Sequence, residues 1–432
     1  TEVTDELKRL MKEFEKELAI LKGRVDGLEA RVGELEATQF STTTKLKGQA
    51  TFVIGANRFG GDAKQGAVDT ILGSSATSNG SFRSGSAGTK RADAAAALSG
   101  ATSFNYDLRL FLDTSFTGKD LLRTMLRSGN FGSSAYGAGG YVGLDGMETA
   151  FEEGSPNNVV VNRLWYQFPI GDSFTATVGG RVRQDDMLAV WPSAYPADTV
   201  LDFFTYAGAP ATYNLALGSG GGIWWESDDF SISANYVSGN GELSDPNAGG
   251  IATDGAGSVG TVQIAYAPEN WGLAAAYNYS SKNQGTLYAG NGTPLANTFT
   301  SNGNNSSVGL SAWWSPEEAG WFPSVSAGWG YNSITDGEDT TVFRSATTQS
   351  WYVGLQWADA FLKGNTLGLA VGQPTFVTNV DYRNDVSNSD FVADGNYAWE
   401  FWYAFQVTDN ITVTPAIYYL SRPYGDLTDG GN

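Results

Sequence analysis

The connections between this chain's amphipathic segments alternate in length, short then long, from residue 45 to near its end. In FNYDLRLFLD (104–113), Phe104, Tyr106, Leu108, Leu110 and Leu112 alternate with Asn105, Asp107 and Arg109. FTATVGGRV (174–182), FSISANYV (230–237), WGLAAAYNY (271–279), PSVSAGWGY (323–331), WYVGLQW (351–357), TLGLAVG (366–372), WEFWYAFQV (399–407) and ITVTPAIYY (411–419) repeat the period of two. Such segments are strands with one apolar face. The short links are TGKD (117–120), PIGD (169–172), SDD (227–229), PEN (268–270), SPEEAG (315–320), DAFLKGN (359–365) and TDN (408–410). The long ones, rich in Gly, Asn, Ser and Asp, cover 58–102, 129–157, 184–211, 239–257, 282–305, 333–347 and 374–395. Tight turns at one end and long loops at the other describe a transmembrane β-barrel.

One segment tests the rhythm. LLRTMLRSG (121–129) has good helix propensity, and as a helix would place Leu121, Leu122, Met125 and Leu126 on one face. The alternation of link lengths would then break once, here. As a strand it keeps TGKD as a short turn and preserves the alternation, so tertiary pattern overrides propensity. The count becomes fifteen strands, the first near 46–57 and the last near 410–420. Bacterial single-chain barrels use an even number. The expected fold is therefore all-β, a 16-stranded antiparallel transmembrane β-barrel with fifteen strands in this sequence and a last one beyond Asn432.

Composition narrows the chemistry. Charged residues are 17% of the chain and the net charge is −20, which disfavours nucleic acid as a partner. There is no Cys and no His, so thiol nucleophiles, the usual zinc ligation and imidazole bases drop out, and no cofactor is expected. Trp165, Trp224, Trp225, Trp271, Trp313, Trp314, Trp321 and Trp357 all fall near short turns, as an aromatic girdle at a membrane interface would. The match of GAGSVG (255–260) to a dinucleotide fingerprint lacks the strand–turn–helix context. The loop acids Glu148, Glu152 and Glu153 do not by themselves make a glycosidase pair. The chain is not expected to be an enzyme.

Residues 1–37 follow another period. Leu7, Met11, Phe14, Leu18, Leu21, Val25, Leu28, Val32 and Leu35 are spaced alternately by four and three, a heptad seam. Glu17–Lys22, Arg24–Glu29 and Arg31–Glu36 are attractive g–e' pairs in a parallel, in-register oligomer. The seam suits two or three chains. The expected domains are a coiled-coil stalk (1–37), a linker (38–45) and the barrel (46–432).

The run ELEATQFSTTTKLKGQATFVIG (34–55), with TGKDLLRTMLRSGNF (117–131), RLWYQFPIGD (163–172) and ITVTPAIYYL (411–420), resembles the cyanobacterial outer-membrane porins. These join an S-layer-homology domain to a carbohydrate-selective, OprB-type barrel and are often labelled iron-uptake porins. The resemblance covers nearly the whole chain, without the S-layer-homology domain or an aromatic-terminated last strand. It implies a homotrimeric, water-filled channel in outer-membrane lipid and lipopolysaccharide. It also implies a periplasmic stalk leading to a domain that binds peptidoglycan-linked polymer.

Lumen-facing residues tune selectivity in such barrels. Parity turns Arg109, Arg123, Arg127, Arg163, Arg181 and Arg183 inward, a basic wall, since an arginine facing lipid at mid-depth costs about 2–4 kcal/mol. The following loop, 184–211, carries Asp185, Asp186, Asp198 and Asp202 with Trp191 and several prolines. It is expected to fold inward and oppose the wall as a constriction. The competing expectation is that the arginines pair with acids such as Asp107 and Asp113 to brace the wall. The expected function is passive diffusion of small hydrophilic solutes and inorganic ions. Alternatives are a structural tether between outer membrane and peptidoglycan with an incidental pore, and a sugar-selective or iron-uptake porin. Trp191, Tyr195, Phe203 and Tyr206 are the candidate lining for a sugar path. Without His, Cys or a tight carboxylate cluster, the residues give iron uptake little support.

Overall fold

The computed structural model describes residues 2–38, 43–62, 90–137, 142–198, 200–284, 287–335, 343–383 and 391–425. One antiparallel sheet holds β1 (Thr44–Gly55), β2 (Ser103–Thr114), β3 (Leu121–Gly129), β4 (Val160–Ile170), β5 (Phe174–Arg183), β6 (Leu217–Ser227), β7 (Phe230–Ser238) and β8 (Ser258–Tyr266). It continues through β9 (Trp271–Ser280), β10 (Asn304–Trp314), β11 (Ser324–Thr335), β12 (Phe343–Ala358), β13 (Thr366–Tyr382), β14 (Tyr397–Thr408), β15 (Ile411–Val413) and β16 (Ala416–Ser421). Each strand pairs with its chain neighbours, and β15 and β16 both pair with β14. They are halves of one pass, interrupted at Thr414–Pro415 where proline has no N–H for a ladder. The sheet thus makes the expected fifteen passes. Residues 121–129 are a strand, registered on both sides so that Arg127 faces Arg109 and Arg123 faces Trp165.

Each turn has its own chemistry. In TGKD, Gly118 takes φ +81°, and Asp120 gathers the turn. Its Oδ1 accepts from Ser115 Oγ, Phe116 N, Thr117 N and Thr117 Oγ1 at 2.8–3.0 Å, and its Oδ2 from Tyr166 Oη at 2.7 Å. Desolvation opposes ionisation there. The donors of Thr117, Tyr166 and Ser115 outweigh it and hold the carboxyl far below the usual range.

The Trp positions correct the girdle in part. Directly opposed residues share a face. Trp225, Trp271 and Trp314 lie outward with exposed neighbours such as Phe174 and Ile232. Trp165 lies opposite Arg123, Trp224 opposite Ser233, and Trp313 opposite Ser326, so these three face the lumen. Sequence proximity to a turn does not fix the face.

Helix α1 (Glu2–Thr38) spans the heptad region, and β1 begins at Thr44, two residues before the expected barrel boundary. Met11, Phe14, Leu18, Leu21, Val25 and Leu28 are 45–66% exposed along its seam. The side chains of Val32 and Leu35 lie outside the described residues. Short helices α2 (Arg91–Ser99) and α3 (Pro294–Asn302) sit in long loops. Thr293 caps α3 by accepting from Ala296 N at 3.1 Å, with proline in its first turn. Among the described residues, β1 and the last pass are not paired with each other. Their loop ends are tied by side chains: Tyr418 Oη donates to Asn57 Oδ1 at 2.7 Å, and Asn57 Nδ2 to Asp145 Oδ2 at 2.8 Å.

Candidate functional site: the lumen

The lumen is built in two unlike halves. On β2–β4 the inward positions carry Asp107, Arg109, Asp113, Arg123, Arg127 and Arg163. Asp107 is 1% exposed and accepts from Arg109 Nε at 2.6 Å and from Arg127 Nε and Nη2 at 2.7 and 3.2 Å. Asp113 takes Arg123 in a fork at 2.8 and 3.0 Å. Arg123 also stacks between Phe111 and Trp165, with centroids 5.4 and 5.3 Å away. Arg163 Nε donates to Asp186 at 2.8 Å, and Arg183 forks onto Asp185 at 2.5 Å. All six predicted arginines are ion-paired.

Two expectations change here. Asp185 and Asp186 do not oppose the wall from across the pore; they belong to it, as the partners of Arg183 and Arg163. Arg181 leaves the inward row. A bulge between Gly179 and Val182 sets it opposite Leu164, which is exposed on the outer face, and it forks onto Glu153 at 2.8 and 2.9 Å.

From β7 to β14 the inward residues are small or uncharged: Ser233, Thr261, Ala276, Ser307, Gly309, Ser311, Ser326, Gly328, Gly330 and Ser350, with Glu400 the charged one among them. This half is a bed for the loop between β5 and β6, residues 184–216. Ser233 Oγ accepts from Ala189 N at 3.0 Å, and Ser326 Oγ from Ala194 and Tyr195 N at 2.8 and 3.0 Å. Ser350 and Ser307 donate to the carbonyls of Gly208 and Ala211 at 2.8 and 2.9 Å. Glu400, 1% exposed, accepts from Tyr195 Oη at 2.7 Å and Leu201 N at 2.8 Å. Gly328 is needed where it stands: a Cβ there would meet the Ala207 carbonyl oxygen at 1.8 Å.

The loop therefore rests against the inner face of β7–β14, with its free edge toward the charged half. A void of about 2170 Å³ lies beside β1 and the last pass, and Gln49, Arg109, Glu148, Pro196 and Asp198 are among the residues that line it. Asp202 accepts from Asn291 Nδ2 at 3.1 Å; burial and the nearby Glu148 push its carboxyl well above the usual range. Trp191 packs edge-on against Tyr213 at 5.5 Å. Tyr195, Phe203 and Tyr206 are 1–3% exposed, and Tyr195 and Phe203 pack with Tyr352 and Trp402 of the wall, so these three cannot line a sugar path. Glu400, the serine and glycine bed and the inward tryptophans were not found from sequence. The alternation of small residues on β10–β12 was the available signal.

The family model for the OprB family of carbohydrate-selective porins matches residues 2–431. The chain belongs to this family. As an OprB-family porin it is a passive channel of the outer membrane, and carbohydrate selectivity moves from an alternative to the family's property. An uncharacterized protein of Nostoc sp. is 30% identical, covering 96% of this porin and 68% of the relative. One from Synechocystis sp. is 29% identical, covering 97% and 72%. Among solved structures, Pseudomonas putida OprB at high pH aligns with a TM-score of 0.48 and 14% identity over 91% of this chain and 92% of that one. A variant of Rh. blastica porin aligns at 0.42 and 11%, over 89% and 96%.

Proposed function

We propose that the solute path runs between the ion-paired wall of β2–β5 and the free edge of the inward loop, and that it favours small uncharged hydrophilic solutes, sugars foremost. The observation that carries this is the pairing of every wall arginine. The wall's five inward arginines meet Asp107, Asp113, Asp185 and Asp186, while Glu148 and Asp198 border the void beside Arg109. Close pairs present dipoles to passing solutes, and their fields cancel at short range, so no free cation row remains to concentrate anions. Hydroxyl groups can exchange hydrogen bonds along such pairs. Inorganic ions pass with the water.

The exposed seam of α1 supports a parallel homotrimeric coiled coil, emerging from the turn end of the barrel into the periplasm and directed toward the cell wall. Outer-membrane lipid and lipopolysaccharide would surround the apolar strand faces. Liposome swelling tests the solute reading. Neutral mono- and disaccharides should enter faster than sugar acids or amino sugars of equal size. Faster entry of the sugar acids would refute it.

A further inference from the structure

The inward tryptophans carry more than a correction. Trp313 on β10 stands directly across from Gly272 on β9, and its indole covers that glycine so closely that a Cβ would meet the ring at 2.0 Å. Trp402 covers Gly368 in the same way, with a Cβ 2.1 Å from the ring. Glycine opposite tryptophan lets the indole lie flat on the barrel wall with its other face toward the lumen. At Trp402 that face is taken by Tyr195, 6.2 Å away, and the side chain is 4% exposed. Trp313 is only partly buried.

Trp313 also has a defined place relative to the loop. Its partner across the ladder on β11 is Ser326, the residue that anchors Ala194 and Tyr195. Trp224 holds the matching position at the loop's other contact. It lies opposite Ser233, which anchors Ala189, and its Nε1 donates to Glu226 at 2.8 Å, fixing the ring. Two partly buried, lumen-facing indoles thus flank the segment 189–195 where it touches the wall.

We propose that Trp313 and Trp224, four strands apart on the wall, each offer a sugar-stacking subsite on the turn side of the inward loop, where a pyranose ring lies against the indole face. The C–H face of a pyranose is apolar and matches a flat indole, while its hydroxyls stay in lumen water. This rests on the reading of the channel as a path for sugars. Tyr195, Phe203 and Tyr206 of the loop cannot serve, being buried, and Trp191 is packed edge-on against Tyr213; the wall indoles supply the platform instead.

The test is current block by neutral oligosaccharides in planar bilayers, in wild type, Trp313→Ala, Trp313→Phe and Trp224→Ala, with swelling assays in parallel. Trp313→Ala should raise the half-blocking concentration about three- to tenfold, with ion conductance kept, and Trp313→Phe should restore most of it. Trp224→Ala should act in the same direction. Unchanged block in both alanine variants, in channels that still pass sugar, overturns the subsites alone. A wild-type channel that conducts ions but passes no neutral sugar overturns both the subsites and the solute reading.

Discussion

Asp107→Asn isolates the charge pairing from the shape of the wall. Asp107 holds Arg109 and Arg127 together, and asparagine keeps its outline and one acceptor oxygen. What is lost is one negative charge beside the void that Arg109 lines. For an ion passing about 8 Å away in water, 332/(εr) is about 0.5 kcal/mol. The term has opposite sign for a cation and an anion, so their permeability ratio moves by about 1 kcal/mol, about fivefold toward anions. At 0.1 M salt the Debye length is about 10 Å and the shift shrinks to about twofold. Reversal potentials under a KCl gradient, measured at low and moderate ionic strength, read this directly. The double variant Arg123→Ala/Arg127→Ala should move selectivity the other way. No shift in Asp107→Asn at low salt, or one toward cations, would refute a path that runs along this wall.

Three further outcomes follow from local geometry. Gly328→Val should force the loop off its bed, costing about 1–3 kcal/mol of packing, with larger, noisier single-channel conductance as the readout. Asp120→Ala should loosen the β2–β3 turn and lower the thermal unfolding temperature at neutral pH. Because the folded Asp120 carboxyl lies below its unfolded value, its contribution is present above the ordinary carboxylate range and fades as pH falls through the folded value; thermal scans of both proteins should converge in strong acid. Asp145 runs oppositely, its carboxyl pushed up to about 7 by burial against the donors Tyr418 and Asn57. The native state then holds a proton that the unfolded chain has lost, so stability should fall as pH rises from about 4 to 7 and level off above. Asp145→Asn should flatten that slope in thermal scans.

The architecture was legible because it rests on period and spacing. Residues 121–129 show this well: helix propensity argued one way, and the rhythm of the turns, decisive in the fold, the other. The inward arginines were legible for the same reason, and Asp107 and Asp113 were already visible as partners. Parity fails where a bulge adds a residue; the glycine pair in VGGRV was the local signal of the one that turns Arg181 outward. Asp185 and Asp186 were misplaced because four residues of tight helix (184–187) fold them back on the strand just left. The loop's resting place was hidden for a different reason. It is set by complementarity between its backbone and small side chains on strands far along the chain, which no window of sequence contains.

That last contact has a consequence for how such a channel can change. Between Ala189 and Ala211, strand side chains hold the loop by its peptide groups: the N–H of Ala189, Ala194, Tyr195 and Leu201, and the C=O of Val190, Ala207, Gly208 and Ala211. Every residue type offers the same C=O, and all but proline the same N–H. The side chains on the free edge can therefore be exchanged without unseating the segment that carries them. The barrel acts as a socket for an interchangeable filter, and new solute preferences can be written at positions such as Asp198 while the mounting stays the same.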